Sequence, residues 1–146
     1  MQGYNISWSP PSRGVLKLNM DAHFIRDGRW SVGMILRRED GGTVVVATRV
    51  VRSDNDATLA EAIGIQEALK LILQHKVEPI IIESDSQVTI QALRGKDGDM
   101  TYWGKIIWSY IQTCGCSKID FRWTRRSGNK AAHEFARWAT IESNRD

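Results

Sequence analysis

Cysteine is nearly absent from the 146 residues: only Cys114 and Cys116 occur, one residue apart. Bridging them would close a strained ring, and no histidine or further cysteine stands near enough for a zinc site. Disulfide-scaffold and zinc-staple architectures are therefore excluded, and two ordinary thiols suit a reducing compartment. Proline is scarce too, at three residues. Long apolar runs are missing; the longest apolar stretches are strand-sized, such as Val77–Ile82, so no segment is expected to span a membrane. No basic start followed by an apolar run stands at the N-terminus, so no secretion signal is expected, and cytoplasm or nucleus is the expected location. Net charge is small, formally +3. What remains is an ordinary globular mixture, 42% hydrophobic and 25% charged. One domain of this length buries roughly 70% of its unfolded surface and needs no staple.

Periodicity then divides the chain. Residues 1–14 carry Pro10, Pro11 and Gly14 with little pattern and read as a lead-in to a domain over 15–146. Val15–Phe24 alternates, with Leu16, Leu18 and Met20 on one face and Lys17, Asn19 and Asp21 on the other, the signature of a strand. Asp27-Gly28 predicts a tight turn into a second strand over Trp30–Arg38. Asp40-Gly41-Gly42 predicts another, into the β-branched run Thr43–Val51. From Thr58 to Gln74 the period becomes helical through Ile65, Ala68, Leu69 and Ile72. Glu78-Pro79 breaks the chain, and Ile80–Ile82 has the unbroken apolarity of a buried parallel strand. A short helix to Leu93, a loop Arg94–Asp99, a helix Trp103–Thr113, a strand Lys118–Thr124 and a helix Asn129–Ile141 complete the order β-β-β-α-β-α-α-β-α. Hairpins first and crossovers later imply an α/β fold, a mixed five-stranded sheet flanked by helices.

Three acids stand where packing has no need of them. Asp21 lies in the C-terminal part of the first strand. Asp85 follows the isoleucine strand, and ligands gather beyond the carboxyl ends of such strands. Glu61 shares the core-facing stripe of its helix with Ile65, Ala68 and Ile72. Each has an alternative: Thr58 and Glu61 fit a capping box, Asp85 can cap the next helix, and Asp21 can be a turn-proximal acid. Together they resist that explanation. Carboxylates about 4 Å apart repel by about 4 kcal/mol at an effective dielectric of 20. Three converging carboxylates therefore call for a cation, and an all-oxygen set favours Mg²⁺ or Mn²⁺ over zinc. The last quarter is basic, with Arg122, Arg125, Arg126, Lys130 and Arg137. That suits a polyanion, although a solvated basic surface would carry the same charges.

Five segments in order resemble the RNase H family, and more closely its plant reverse-transcriptase-like branch. They are Trp8-Ser9-Pro10-Pro11, Lys17-Leu18-Asn19-Met20-Asp21, Ala60-Glu61-Ala62, Glu83-Ser84-Asp85-Ser86-Gln87, and Asn129-Lys130-Ala131-Ala132-His133-Glu134-Phe135-Ala136. The resemblance implies the type 1 RNase H fold and a metal-dependent endonuclease that cuts RNA in a duplex. The expected duplex is an RNA–DNA hybrid or double-stranded RNA, read through shape and 2′-hydroxyls. It implies two ions of Mg²⁺ or Mn²⁺ on Asp21, Glu61 and Asp85, with Gln87 reaching bases in the minor groove and Asn19 and Thr58 flanking the site.

Two departures shape the expectation. His133 stands where the family has a fourth aspartate, and His is a poorer Mg²⁺ ligand and a better Mn²⁺ one. It is expected to support the second metal, or else to lie on the helix flank near Arg137. The loop Thr124–Gly128 lacks the family's histidine, so Arg125 or Arg126 is expected to grip a phosphate, with Asn129 and Lys130 beside them. Two other functions compete. One is a duplex-binding module that has lost useful catalysis, against which the retention of all three acids weighs. The other is a protein-contact domain anchored by Trp103 and Trp108, although core packing explains at least one of these more simply.

Overall fold

The computed structural model describes residues 8–54, 56–75, 79–95, 102–114 and 118–143. Five strands, β1 (Leu16–Arg26), β2 (Arg29–Arg37), β3 (Thr43–Arg52), β4 (Ile80–Ser84) and β5 (Ile119–Trp123), form one sheet in the order β3-β2-β1-β4-β5. The first three pair antiparallel, and β4 and β5 join parallel. Four helices, α1 (Ala57–His75), α2 (Gln87–Arg94), α3 (Tyr102–Cys114) and α4 (Lys130–Ser143), cover it. The expected order and mixed sheet are both present. Cys116 and residues 96–99 of the expected loop lie outside the described residues.

The hairpin between β1 and β2 turns through Asp27 and Gly28, both at positive φ (52° and 74°). Two such residues make the turn whose twist matches the flanking strands. The alternation of β1 sends Leu18 and Met20 to one face, into a core with Val32, Met34, Ile65, Leu69 and Ile72. Trp108 belongs to that packing: its ring meets Phe121 edge-on at 5.5 Å, and its indole N–H donates to the Leu93 carbonyl. Trp103 packs against the same core.

On the opposite face α4 crosses β1 and β2 at very close range. Gly33 of β2 permits this, since a Cβ there would collide with the backbone of Ala132 and Ala136. The Ser31 hydroxyl donates to the Ala136 carbonyl at 2.6 Å. With Ala132 and Ala136 against the sheet, the next position, His133, is carried over β1. The lead-in is tied down from Trp8 onward, whose indole N–H donates to Asn19 Oδ1 at 3.0 Å while the Ser9 carbonyl accepts from Lys17.

A candidate metal centre in an acidic groove

Strand β1 keeps company with β4 only as far as the pair Asn19 and Glu83, and β4 ends one residue later at Ser84. Beyond that point the two strands part, and the acids stand around the opening. Asp21 is two residues past the last pair on β1. Asp85 is the first residue after β4. Glu61, in the second turn of α1, reaches between them: its Oε1 accepts from the Ala22 amide at 3.2 Å and its Oε2 from the Ser84 hydroxyl at 3.2 Å.

Neither capping alternative holds. Asp56 caps α1, its carboxylate accepting from the amides of Thr58 and Leu59, so Thr58 and Glu61 form no capping box. Ser86 caps α2 by accepting from the Thr89 amide, so the Asp85 carboxylate is not used as the cap. One oxygen from each of Asp21, Glu61 and Asp85 lies within 4.8 Å of the others. Burial pushes the Glu61 carboxyl up to about 8, helped by the negative charges of Asp21 and Asp85. Burial likewise raises Asp21 to about 6, with Asp85 adding to the effect and His133 opposing it. Three hard oxygen donors, two of which (Glu61 and Asp21) hold protons through burial and the negative charge beside them, fit a hard divalent cation, which would displace those protons.

The centre opens into a groove of about 600 Å³ lined also by His23, Arg126, Ser127, Lys130 and His133. His133 Nδ1 sits 2.9 Å from Asp21 Oδ2, so the side chain meets Asp21 rather than the shared centre of the three acids. The His23 ring stands edge-on to it at 5.7 Å. Strand alternation places His23 on the face of Asp21, a signal legible in the sequence. Arg126 and Lys130 form the basic rim, on a 3₁₀ turn (Arg126–Asn129) and the first residue of α4. Arg125, just before the 3₁₀ turn, and Gln87, at the start of α2, are exposed, and Thr58, in the first turn of α1, is half-buried; none of the three lines the groove.

Two expected interface residues are placed differently. Asn19 and Asn129 are 0% exposed. Asn19 donates to Glu83 Oε1 at 2.9 Å and to Asn129 Oδ1 at 3.0 Å, and Asn129 donates to the Met20 carbonyl at 2.8 Å. A direct contact with a duplex is not open to either. Their bonds pin the 3₁₀ turn to β1 and so fix where Arg126 and Lys130 stand.

Comparison with known proteins agrees with this geometry. The model of the family described as "Reverse transcriptase-like" matches residues 19–139. None of the curated proteins compared with the chain matches it. Among solved structures, RNase H1 of the halophilic archaeon Halobacterium salinarum is 20% identical, with a TM-score of 0.73 over 88% of this chain and 98% of that one. LC11-RNase H1, isolated from compost by a metagenomic approach, is 16% identical, with a TM-score of 0.70 over 89% and 96%. In complex with an RNA/DNA hybrid the same protein gives 15% and 0.66 over 89% and 98%. The likeness places this chain in the type 1 RNase H fold.

Proposed function

The chain belongs to the reverse transcriptase-like family, and on that premise we propose that it is an endoribonuclease that hydrolyses the RNA strand of an RNA–DNA hybrid with divalent metal ions. One observation carries the proposal: carboxylate oxygens from β1, α1 and the β4–α2 junction converge within 4.8 Å in a groove with a basic rim. The hybrid bound by the similarly folded LC11 protein supports the choice of substrate.

In this reading Asp21, Glu61 and Asp85 hold the metal, Mg²⁺ or Mn²⁺. Bound there, such ions would supply an activated water and positive charge for the leaving oxygen of a phosphodiester. Arg126 and Lys130 hold the flanking phosphates, with Arg125 beside them, and orient the scissile bond toward the acids. Gln87, exposed at the start of α2, meets base edges in the shallow minor groove, where the 2′-hydroxyls mark the RNA strand. His133 steadies Asp21 through the Nδ1 contact, which sets the direction of one carboxylate oxygen. The products are a 5′-phosphate and a 3′-hydroxyl.

Labelled hybrid, double-stranded RNA and double-stranded DNA, incubated with Mg²⁺ and then with Mn²⁺, test the proposal. Hybrid is expected to be cut, double-stranded RNA more slowly and DNA not at all. Asp85→Asn is expected to lower cutting on the order of a thousandfold while duplex binding persists. Equal product from wild type and Asp85→Asn would defeat the assignment.

A further inference from the structure

The groove does not end at the metal centre. Ser127, Lys130 and Glu134 line it and also line a second cavity of about 340 Å³ below the first turn of α4, whose far wall is Trp8 and Arg37. The Arg37 guanidinium lies 4.2 Å from the centroid of the Trp8 indole. Among the described residues it pairs with no carboxylate, and its one hydrogen bond is a long one, 3.4 Å to Asn19 Oδ1. Its Nε is buried and has no partner. The nearest acid in the core, Glu83, is already engaged by Lys17 at 3.0 Å and Asn19 at 2.9 Å.

A half-buried guanidinium without an anion is costly, and an unpaired buried donor normally marks a partner still to come. Stacking on an indole fixes the plane of the guanidinium without using its donors, which leaves the fork set for a bidentate oxyanion. Lys130, exposed at the mouth, supplies a second positive charge. Among the described residues Glu134 is the one acid in the wall, and Arg137 lies 3.8 Å from its Oε2. Lys17 contributes nothing further, since its ammonium is spent on Glu83 and on the Ser9 carbonyl.

We propose that this cavity is a second phosphate subsite, which takes a backbone phosphate of the nucleic acid beside the cleavage centre on the Trp8-stacked fork of Arg37, with Lys130 closing over it. The inference rests on the nuclease reading and extends the footprint across the start of α4 to the lead-in. It makes Trp8 part of the binding surface.

The test uses the full chain carrying Asp85→Asn, bound to a hybrid duplex over a range of salt concentrations. Each phosphate contact contributes about 0.7–0.9 to the slope of log affinity against log salt. Adding Arg37→Gln is expected to weaken binding about tenfold at low salt and to lower that slope by about one contact. Arg38→Gln, on an exposed side chain paired with Asp40, is expected to leave the slope unchanged. Trp8→Leu removes the stacking platform but not the charge, and is expected to weaken binding in the same direction; it also serves should Arg37→Gln fail to fold. A slope in Arg37→Gln equal to that in Arg38→Gln, or Trp8→Leu binding like its parent, overturns the subsite. If the Asp85→Asn protein binds no duplex at all, the nuclease reading has failed instead.

Discussion

Lys17, Asn19 and Asp21 occupy alternate positions on one face of one strand, yet they enter two polar clusters of opposite character. Around Lys17 and Asn19 the buried acid is answered: Lys17 pairs with Glu83 at 3.0 Å, and Asn19 bonds Glu83 and Asn129. Two residues on, Asp21 meets Glu61 and Asp85, and among the described residues no lysine or arginine comes within ion-pair distance of any of the three. The Lys17–Glu83 pair is complete in the protein alone, and the Asn19–Asn129 bond beside it holds the 3₁₀ turn to the sheet. The second cluster is complete only with a cation. A buried network fully satisfied specifies structure, and one left unbalanced at a groove marks a place where something binds.

The sharpest way to break this contrast is to remove one partner from each cluster and compare the signs. Lys17→Met strands the Glu83 carboxylate in the core and is expected to cost about 3–5 kcal/mol of stability. Chemical denaturation with and without Mg²⁺ measures it, and the loss should be the same in both. A loss below 1 kcal/mol would place that pair outside the structural core. Asp21→Asn removes a charge from the unbalanced cluster and is expected to raise stability in chelator by about 1 kcal/mol, while cutting is lost. Destabilisation by Asp21→Asn in chelator would show the acids to be structural.

The same contrast appears in pH. Glu61 and Asp21 rise from 4.5 and 3.8 in the free state to about 8 and about 6 in the fold. The folded protein therefore keeps protons that the unfolded chain has already released. Between about pH 4 and pH 8 the metal-free protein loses stability as pH rises, because those protons must leave a site that holds them. The divalent ion binds the ionised form and adds most stability at the alkaline end. Thermal melts in chelator and in Mg²⁺ across this window check both signs; curves that stay parallel would dissociate the acids from the metal.

The smallest expected effect concerns His133. Exchanging His133 for Asp places a fourth carboxylate beside Asp21 and is expected to raise the Mg²⁺-supported rate several-fold and to reduce any preference for Mn²⁺. An unchanged or lower Mg²⁺ rate would remove position 133 from the metal's surroundings.

Much of this was legible in the residues. Alternation located β1, turn residues and a β-branched run located β2 and β3, and helical spacing put Glu61 on the buried stripe of α1 together with Ile65, Ala68 and Ile72. Local capping was read less well. Asp56 and Ser86 took the caps that Thr58 and Asp85 could equally have filled, since several neighbouring residue types cap helices with similar energies. The 3₁₀ turn at Arg126–Asn129 escaped notice because its partners are distant: Asn129 bonds to Asn19 and to the Met20 carbonyl, both more than a hundred residues away. Arg37 and Trp8 met for the same reason, with the lead-in folding back along β1.

Periodicity follows from the pleat of a strand and the pitch of a helix, properties of a few consecutive residues, so the chain's elements and the buried side of each were written in its order of amino acids. Whether a given carboxylate is neutralised by a lysine or left facing two of its own kind depends on which segments lie within a few ångströms after folding. The split between β1 and β4 decided that for Asp21, and the close crossing of α4 over Gly33 decided it for His133.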